Sequence, residues 1–597
     1  MAEVGPGLTA SGARGAAPRA LVLVFAGHEA AAPDQMQLAH AHRGIRPPVV
    51  AGVIHLPPEI SLSTAAAQTQ ELRTRLRRLA RESGARLAPR IVVSHRPASE
   101  ISQLAVEAEC DLLIFPWAEG RGSPMDIVEA MEQASVMVKG PIPPAGSRAL
   151  VCLETTPDSE LSLRLALGLA RETDLQLTVL RPAATPPNES SRVALEQVLE
   201  HLSGLEESVS FIDDGPDDIR RLASDHPLLL AGMGDERARC QEVPPTTAIV
   251  LARAALPARL ETERNPGLGT ISILVDKWFA ENTFHASEFE AIDRLIERKH
   301  RSGLSISLAL PALNEEETIG DVIRTLKSAL MEDTQLIDEM ILVDSNSTDA
   351  TRSIAADLGI PVHIHQQVLP QYGARPGKGE ALWKSLYLTR GDLVLWVDTD
   401  IVNMHSRFVY GLVGPMLLRK EIMLVKGFYR RPMRVGERMQ AGGGGRVTEL
   451  TARPLLNLFY PALSGLIQPL SGEYGGRRSA LEQLPFSSGY GVEIGLLIDT
   501  LEKFGLGALA QVDLTQRVHH NQPLPALSQM SFAIIQTVIR RIDRRYHLEL
   551  LRDVNRSMKL VQHRRERYFL EVAEIAERER PPMSSLPEYR AHMAEAR

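Results

Sequence analysis

The chain has 597 residues, enough for about three to five domains of ordinary size. Its net charge of -8 and pI near 6.1 exclude the basic footprint of a nucleic-acid binder. Three scattered cysteines, Cys110, Cys152 and Cys240, exclude a disulfide framework and a cysteine metal cluster, and they point to a reducing compartment.

Residues 1–18 are small and Gly-rich, with no apolar signal core, and predict a disordered N-terminus. Four apolar runs follow, at 20–25, 49–55, 90–94 and 111–115. Four more, at 149–154, 175–180, 208–212 and 227–231, repeat that order. Helical stretches separate them, and short segments at 97–101 and 215–219 open matching helices. Alternating strands and helices imply a parallel sheet with helices on both faces. This order resembles two tandem universal-stress-protein domains, at 19–145 and 146–260.

ATP-binding members of that family carry a Gly-x-x-Gly, a spacer and a Gly-Ser or Gly-Thr after the fourth strand. Here Gly120-Arg121-Gly122-Ser123 and Gly232-Met233-Gly234-Asp235 do not keep that spacing. Without those amides a phosphate has no cradle, so the resemblance implies domains used for assembly or regulation. The acids Asp213, Asp214, Asp217 and Asp218 read as a solvated loop and helix start.

Residues 261–273 read as a linker, 276–289 as an amphipathic lead-in and 291–300 as a charged helix. A domain is predicted over 274–580. Its first strand, 304–310, runs into Pro311-Ala312-Leu313-Asn314-Glu315, where Asn314 can cap a following helix. The next strand, 340–343, ends in Asp344-Ser345-Asn346-Ser347, short polar side chains suited to a ribose, a base or a cap. Gly377-Lys378-Gly379 precedes a helix, and Lys378 can reach a phosphate there. The run 393–396 ends in Val397-Asp398-Thr399-Asp400. Asp398 and Asp400 would share one face of a strand end. Two such carboxylates repel unless a cation or a proton holds them, and a hard divalent ion suits them.

In this order the four pieces resemble the nucleotide-sugar half of a GT-A glycosyltransferase, a Rossmann-like α/β fold. Later segments narrow the likeness: Lys426-Gly427-Phe428-Tyr429-Arg430-Arg431-Pro432, Gly442-Gly443-Gly444-Gly445-Arg446-Val447-Thr448, Ser471-Gly472-Glu473-Tyr474, Gly489-Tyr490-Gly491-Val492-Glu493 and Arg517-Val518-His519-His520-Asn521-Gln522. With these, residues 274–550 resemble the glucosyl-3-phosphoglycerate synthase family of retaining glycosyltransferases.

The resemblance implies UDP-glucose as donor and 3-phosphoglycerate as acceptor. Pro311, Ala312, Leu313, Glu315 and Ser345 would line the uridine pocket, and Lys378 would hold the diphosphate. Asp398 would meet the ribose or sugar, and Asp400 and His519 would hold Mg²⁺ or Mn²⁺. Glu493 would contact the glucose hydroxyls. Gly445, Arg446, Val447, Thr448 and Asn521 would take the acceptor. Gln522 stands where the family pattern has arginine. The product would be a precursor of a compatible solute or polysaccharide. Alternatives are a mannosyl-3-phosphoglycerate synthase using GDP-mannose and a non-catalytic nucleotide-sugar-sensing stress protein.

Residues 455–470 are too short and interrupted to span a bilayer and read as a buried helical segment. No membrane partner and a cytoplasmic location are expected. Beyond Pro525, Phe532, Ile535, Val538 and Ile542 predict an apolar helix face, with Arg540, Arg541, Arg544 and Arg545 on a solvated face. A homodimer through this region is expected, with a disordered tail over 581–597.

Overall fold

The computed structural model describes residues 18–42, 46–88, 90–118, 123–152, 157–182, 209–214, 219–233, 243–255, 269–430, 433–435, 438–440, 445–518, 523–547, 557–564, 567–575 and 577–595. The chain divides into two compact units, Met1–Asn265 and Pro266–Arg597.

The first unit holds strands β1 (Ala20–Phe25), β2 (Val49–His55), β3 (Arg86–Leu87), β4 (Val92–Ser94), β5 (Leu112–Pro116) and β6 (Ser135–Lys139). They are followed by β7 (Arg148–Cys152), β8 (Gln176–Pro182), β9 (Val209–Asp214), β10 (Leu228–Gly232) and β11 (Ala248–Arg253). All lie in one sheet of order β3-β2-β1-β5-β6-β11-β10-β7-β8-β9, with β4 also paired to β2. The runs β1, β5 and β10 are buried throughout, as unbroken apolar runs in parallel strands require.

Each half adds a strand absent from the sequence reading. β6 runs parallel to β5, and β11 runs parallel to β10. These two pair antiparallel, with Val138 opposite Val250, and close the two halves into a single sheet. Residues 119–122 and 234–242, which include most of the degenerate phosphate segments, lie outside the described residues, as do Asp217 and Asp218. Most of the expected linker and the expected N-terminal disorder also lie outside them, although residues 269–273 already belong to the helix Gly269–Asn282.

The second unit contains β12 (Thr283–His285), β13 (Ile306–Ala312), β14 (Glu339–Asp344), β15 (Val362–Ile364), β16 (Leu393–Trp396) and β17 (Leu424–Arg430). The hairpin β18 (Met433–Val435) and β19 (Arg438–Gln440) follows, then β20 (Tyr474–Arg477), β21 (Phe486–Ser487) and β22 (Leu509–Gln516). A second hairpin, β23 (Ser557–Arg564) and β24 (Arg567–Glu574), precedes β25 (Glu579–Arg580). The main sheet has the order β12-β22-β17-β20-β16-β13-β14-β15. β13, β14, β15 and β16 are mutually parallel, while β20 runs antiparallel to both β16 and β17. The fold is α/β, with a Rossmann-like first half. The amino end of β20 therefore meets the carboxyl end of β16, with Trp396 opposite Tyr474. Among the described residues no helix is long and apolar enough to cross a membrane.

Three expectations are corrected. The 581–597 tail is ordered over its described part. It forms a turn and the helix Pro587–Glu595, and Met583, Leu586 and Tyr589 are buried in the core. The segment 455–470 breaks into the helix Arg453–Phe459 and a short turn, Pro461–Leu463, burying Leu456 and Leu463 while Leu458 stays 72% exposed. In the helix Leu524–Tyr546 the buried stripe runs through Ile534, Val538 and Ile542, and Ile535 faces out. Arg541, expected in solvent, is fully buried because Asp499 meets it at 2.7 Å.

Candidate active site

The site is built at the carboxyl edge of β13, β14 and β16, where open α/β sheets receive ligands. Several side chains tie the loops there together. Ser345 N–H donates to the Ala312 carbonyl at 2.8 Å, and Thr399 Oγ1 donates to the Pro311 carbonyl at 3.0 Å. Thr318 Oγ1 donates to the Thr399 carbonyl at 2.6 Å. Asn314 does not cap a helix. It takes a left-handed φ of 57°, and its Oδ1 accepts from the Thr348 N–H at 2.9 Å, while the next helix begins only at Ile319. Asparagine tolerates that backbone well, because its short polar side chain bonds locally. Leu313 beside it is 54% exposed.

Lys378 opens the helix Lys378–Leu388. Its Nζ lies 2.5 Å from Asp398 Oδ1 and 3.2 Å from Glu493 Oε1. Glu493 stands in the first turn of the helix Val492–Phe504. Arg517, just past β22, donates from Nη1 to Asp398 Oδ2 at 3.2 Å, to Glu473 Oε1 at 2.7 Å and to the Tyr429 hydroxyl at 2.8 Å; its Nη2 donates to Asp400 Oδ1. The two aspartates expected to converge thus do so, but beyond the strand end and around a guanidinium. Gly472 permits the crowding, since a Cβ there would lie 1.8 Å from Asp398 Oδ2.

This is a dense charge cluster. Burial opposes the charges on Lys378 and Asp398, yet Asp398 and Glu493 raise the lysine's pKa, and Lys378 and Arg517 lower the aspartate's. Glu315 is pushed up to about 7 by burial and by the charges of Asp400 and Asp398. Burial brings Lys426 down to about 7; its Nζ donates to the Ser471 carbonyl at 2.6 Å and lies 3.8 Å from the Tyr474 ring centroid. Arg517, Glu473, Tyr474 and Lys426 fall within the sequence motifs, which by themselves assign them no role. They come from β17, from β20 and the residue before it, and from the residue after β22, so no local spacing joins them; only the sheet order does.

Asp398 uses one oxygen on Lys378 and the other on Arg517, so the protein itself neutralises it. The Asp400 side chain is 34% exposed, a hard oxygen donor suited to a divalent cation. Among the described residues no group of three or more His, Cys, Asp and Glu could hold a metal ion. His519, the other expected ligand, lies outside the described residues, as do Asn521 and Gln522. Gly445 has a left-handed φ of 88°, Arg446 is exposed, and Val447 and Thr448 are buried. These four stand together at the entry to the helical turn Thr448–Ala452, with Val447 in the hydrophobic cluster that includes Tyr474.

Residues 307–471 match the glycosyl transferase family 2 model. The glucosyl-3-phosphoglycerate synthase of Petrotoga mobilis is 51% identical over 310 residues, which cover 52% of this chain and 95% of that protein. A crystal structure of mannosyl-3-phosphoglycerate synthase from Rubrobacter xylanophilus is 39% identical, covers 52% of this chain and 98% of its own, and has a TM-score of 0.48. A crystal structure of glucosyl-3-phosphoglycerate synthase from Mycobacterium tuberculosis in complex with Mn²⁺, UDP and phosphoglyceric acid is 44% identical, covers 49% of this chain and 95% of its own, and has a TM-score of 0.44. The Petrotoga protein is matched over nearly its whole length at an identity far above chance, so this chain, a glycosyltransferase through its second unit, belongs to the glucosyl-3-phosphoglycerate synthase family.

Proposed function

We propose that the chain transfers glucose from UDP-glucose to the 2-hydroxyl of 3-phosphoglycerate with retention, giving glucosyl-3-phosphoglycerate. One observation carries the reading: Lys378, Asp398 and Glu493 meet at the carboxyl edge of the sheet, beside Asp400. A nucleoside diphosphate-sugar needs a cation for its diphosphate and acceptors for its hydroxyls, and the cluster offers both at one edge of the sheet.

Leu313, apolar and exposed, would pack on the base with Pro311 and Ala312, while Glu315 and Ser345 bind the uridine. Lys378 binds the diphosphate as it is displaced from Asp398. Asp398 and Glu493 are then left to accept hydrogen bonds from ribose and glucose hydroxyls. Arg446 offers a bidentate fork to the acceptor's phosphate or carboxylate, with Gly445, Val447 and Thr448 around it and Asn521 assisting. Mg²⁺ or Mn²⁺ on Asp400 and His519 would supply charge stabilisation to the departing diphosphate. The diphosphate oxygen that leaves carbon-1 of the glucose takes the proton of the attacking hydroxyl, on the same face, which preserves the anomeric configuration.

Within the first unit we read 19–145 and 146–260 as universal-stress-protein-like domains serving assembly or regulation. We further propose a cytoplasmic homodimer supplying a compatible-solute precursor.

A screen of the purified chain tests the reading. UDP-glucose and GDP-mannose are each offered with 3-phosphoglycerate, glycerol 3-phosphate and 2-phosphoglycerate, and nucleotide release is followed. Turnover with UDP-glucose and 3-phosphoglycerate above the other pairs is expected. Preference for GDP-mannose would establish the mannosyl reading. Binding without turnover for every pair would establish a sensor.

A further inference from the structure

The loop that leads into the helix carrying Glu493, and the helix carrying Lys378, are joined by a third segment from near the C-terminal end of the unit. β25 pairs antiparallel with β21, placing Arg580 opposite Phe486 and Glu579 opposite Ser487. Ser488 N–H donates to the Arg578 carbonyl at 2.8 Å. One residue earlier, Glu577 turns its buried carboxylate onto the glycines that precede Glu493. Oε2 accepts from Gly489 N–H at 3.1 Å, and Oε1 accepts from Gly491 N–H at 3.4 Å. Glu577 is itself held by the helix Leu524–Tyr546. Gln536 Oε1 accepts its N–H at 3.3 Å, and Arg540 donates to its carbonyl at 2.7 Å.

Arg580 reaches the other catalytic element. Its guanidinium grips Glu380, two residues past Lys378, with Nε at 2.7 Å and Nη2 at 2.6 Å from the two carboxylate oxygens. Both side chains are buried. The same guanidinium donates to the Tyr372 and Gly373 carbonyls at 2.7 and 2.9 Å. Pro581 closes the run, its carbonyl accepting from Trp383 Nε1 at 2.9 Å. The two elements so gripped are already in close contact, since a Cβ on Gly379 would lie 1.9 Å from the Ser487 carbonyl oxygen.

We infer that residues 577–581 form a positioning strap, in which Glu577 sets the backbone that presents Glu493 and Arg580 sets the helix that presents Lys378, so that the strap fixes the separation of the two groups that face the donor. This rests on the proposed roles of Lys378 and Glu493. Glu577 and Arg580 touch no substrate. They act because a carboxylate accepting two backbone N–H groups and a bidentate guanidinium are directional restraints. The two elements also share one direct backbone bond, Glu380 N–H to the Ser488 carbonyl at 2.9 Å, to which the strap adds these side-chain restraints.

The test uses the full-length protein with UDP-glucose and 3-phosphoglycerate. Initial rates and thermal melts are recorded for the wild type, Glu577→Gln and Arg580→Lys. Glu577→Gln keeps the volume but turns an amide NH₂ toward one of the two backbone N–H groups. Arg580→Lys keeps the charge but loses the fork. Misplacing reacting groups by even about 1 Å costs up to about a hundredfold in rate, so kcat is expected to fall about ten- to a hundredfold in each variant. The KM for 3-phosphoglycerate is expected to stay within about twofold, since the acceptor contacts lie on another segment. Should one variant fail to fold, the other decides. A folded variant with wild-type kcat, or one losing activity only through an acceptor KM, overturns the strap. If the wild type shows no glucosyl transfer, the proposed function fails instead, and the two failures are thereby distinguished.

Discussion

The two units treat charge in opposite ways. Among the described residues of the first unit, no aspartate or glutamate is buried; its buried polar groups are chiefly hydroxyls, with Arg19, Gln35, Arg73 and His226. The second unit buries Glu281, Asp344, Glu380, Glu473, Glu493, Asp499 and Glu577, together with Lys299, Lys384 and Lys426 and the arginines 419, 478, 517, 541 and 580. Taking an ion out of water costs several kcal/mol even after relaxation, so a fold concentrates buried ions where something depends on them. Two concentrations stand out among them: Glu473, Glu493, Lys426 and Arg517 in the cluster around Asp398, and Glu380, Glu577 and Arg580 in the contacts of the strap. In the first unit the runs of β1, β5 and β10 are buried throughout. Perturbing the second unit should therefore change catalysis or stability sharply.

The largest effect is expected at Asp400. Asp400→Ala should lower glucosyl transfer by roughly a thousandfold or more, as loss of a metal ligand does, with the circular dichroism spectrum unchanged. Near-normal turnover at saturating Mg²⁺ would remove Asp400 from the site. Next comes Asp499, which meets Arg541 at 2.7 Å inside the second unit. Asp499→Ala leaves a buried guanidinium without its carboxylate, and should cost about 3–5 kcal/mol of stability. In urea titrations that loss should appear as a lowered midpoint, with a fall in kcat per folded molecule much smaller than at Asp400, since Arg541 also bonds Ser487 and Arg544 links Asp499 to Glu579. A smaller effect is expected at Arg446. Its charge-assisted contact is worth about 1.5–3 kcal/mol, so Arg446→Ala should raise the acceptor KM about ten- to a hundredfold and leave the donor KM nearly unchanged. Equal changes in both would contradict an acceptor role.

Much of the architecture was legible in the sequence. The runs 20–25 and 49–55 are strands to the residue, since parallel strands buried on both faces leave an unbroken apolar signature. β6 and β11 carry a shorter signal, residues 136–138 between Ser135 and Lys139, and residues 248–252 before Arg253, each just after the fourth strand of its repeat. In the site, Asp398, Asp400, Lys378 and Glu493 could be singled out because each follows a strand or opens a helix. Arg517 could not, since its partners lie at 398, 400, 429 and 473, and only the antiparallel insertion of β20 brings them together. Arg541 shows the same limit: helical periodicity placed it in solvent, and a carboxylate 42 residues away in the chain holds it inside. Asn314 was read as a cap because caps are common at strand-to-helix turns, yet its left-handed backbone serves a bond to the neighbouring loop. The short, polar tail carries no periodic signal of order, yet Tyr589 anchors it through Arg478 and Glu482.

The central claim is that the second unit alone performs the transfer and the first supplies no catalytic group. Expressing residues 266–597 and measuring glucosyl transfer from UDP-glucose to 3-phosphoglycerate beside the full chain tests it most directly. The account predicts a folded fragment whose kcat and KM values match the full chain within about threefold, well under the tenfold that 1.4 kcal/mol represents. A folded, soluble fragment that binds UDP-glucose but does not turn over would contradict it, and would place part of the catalytic machinery in the first unit.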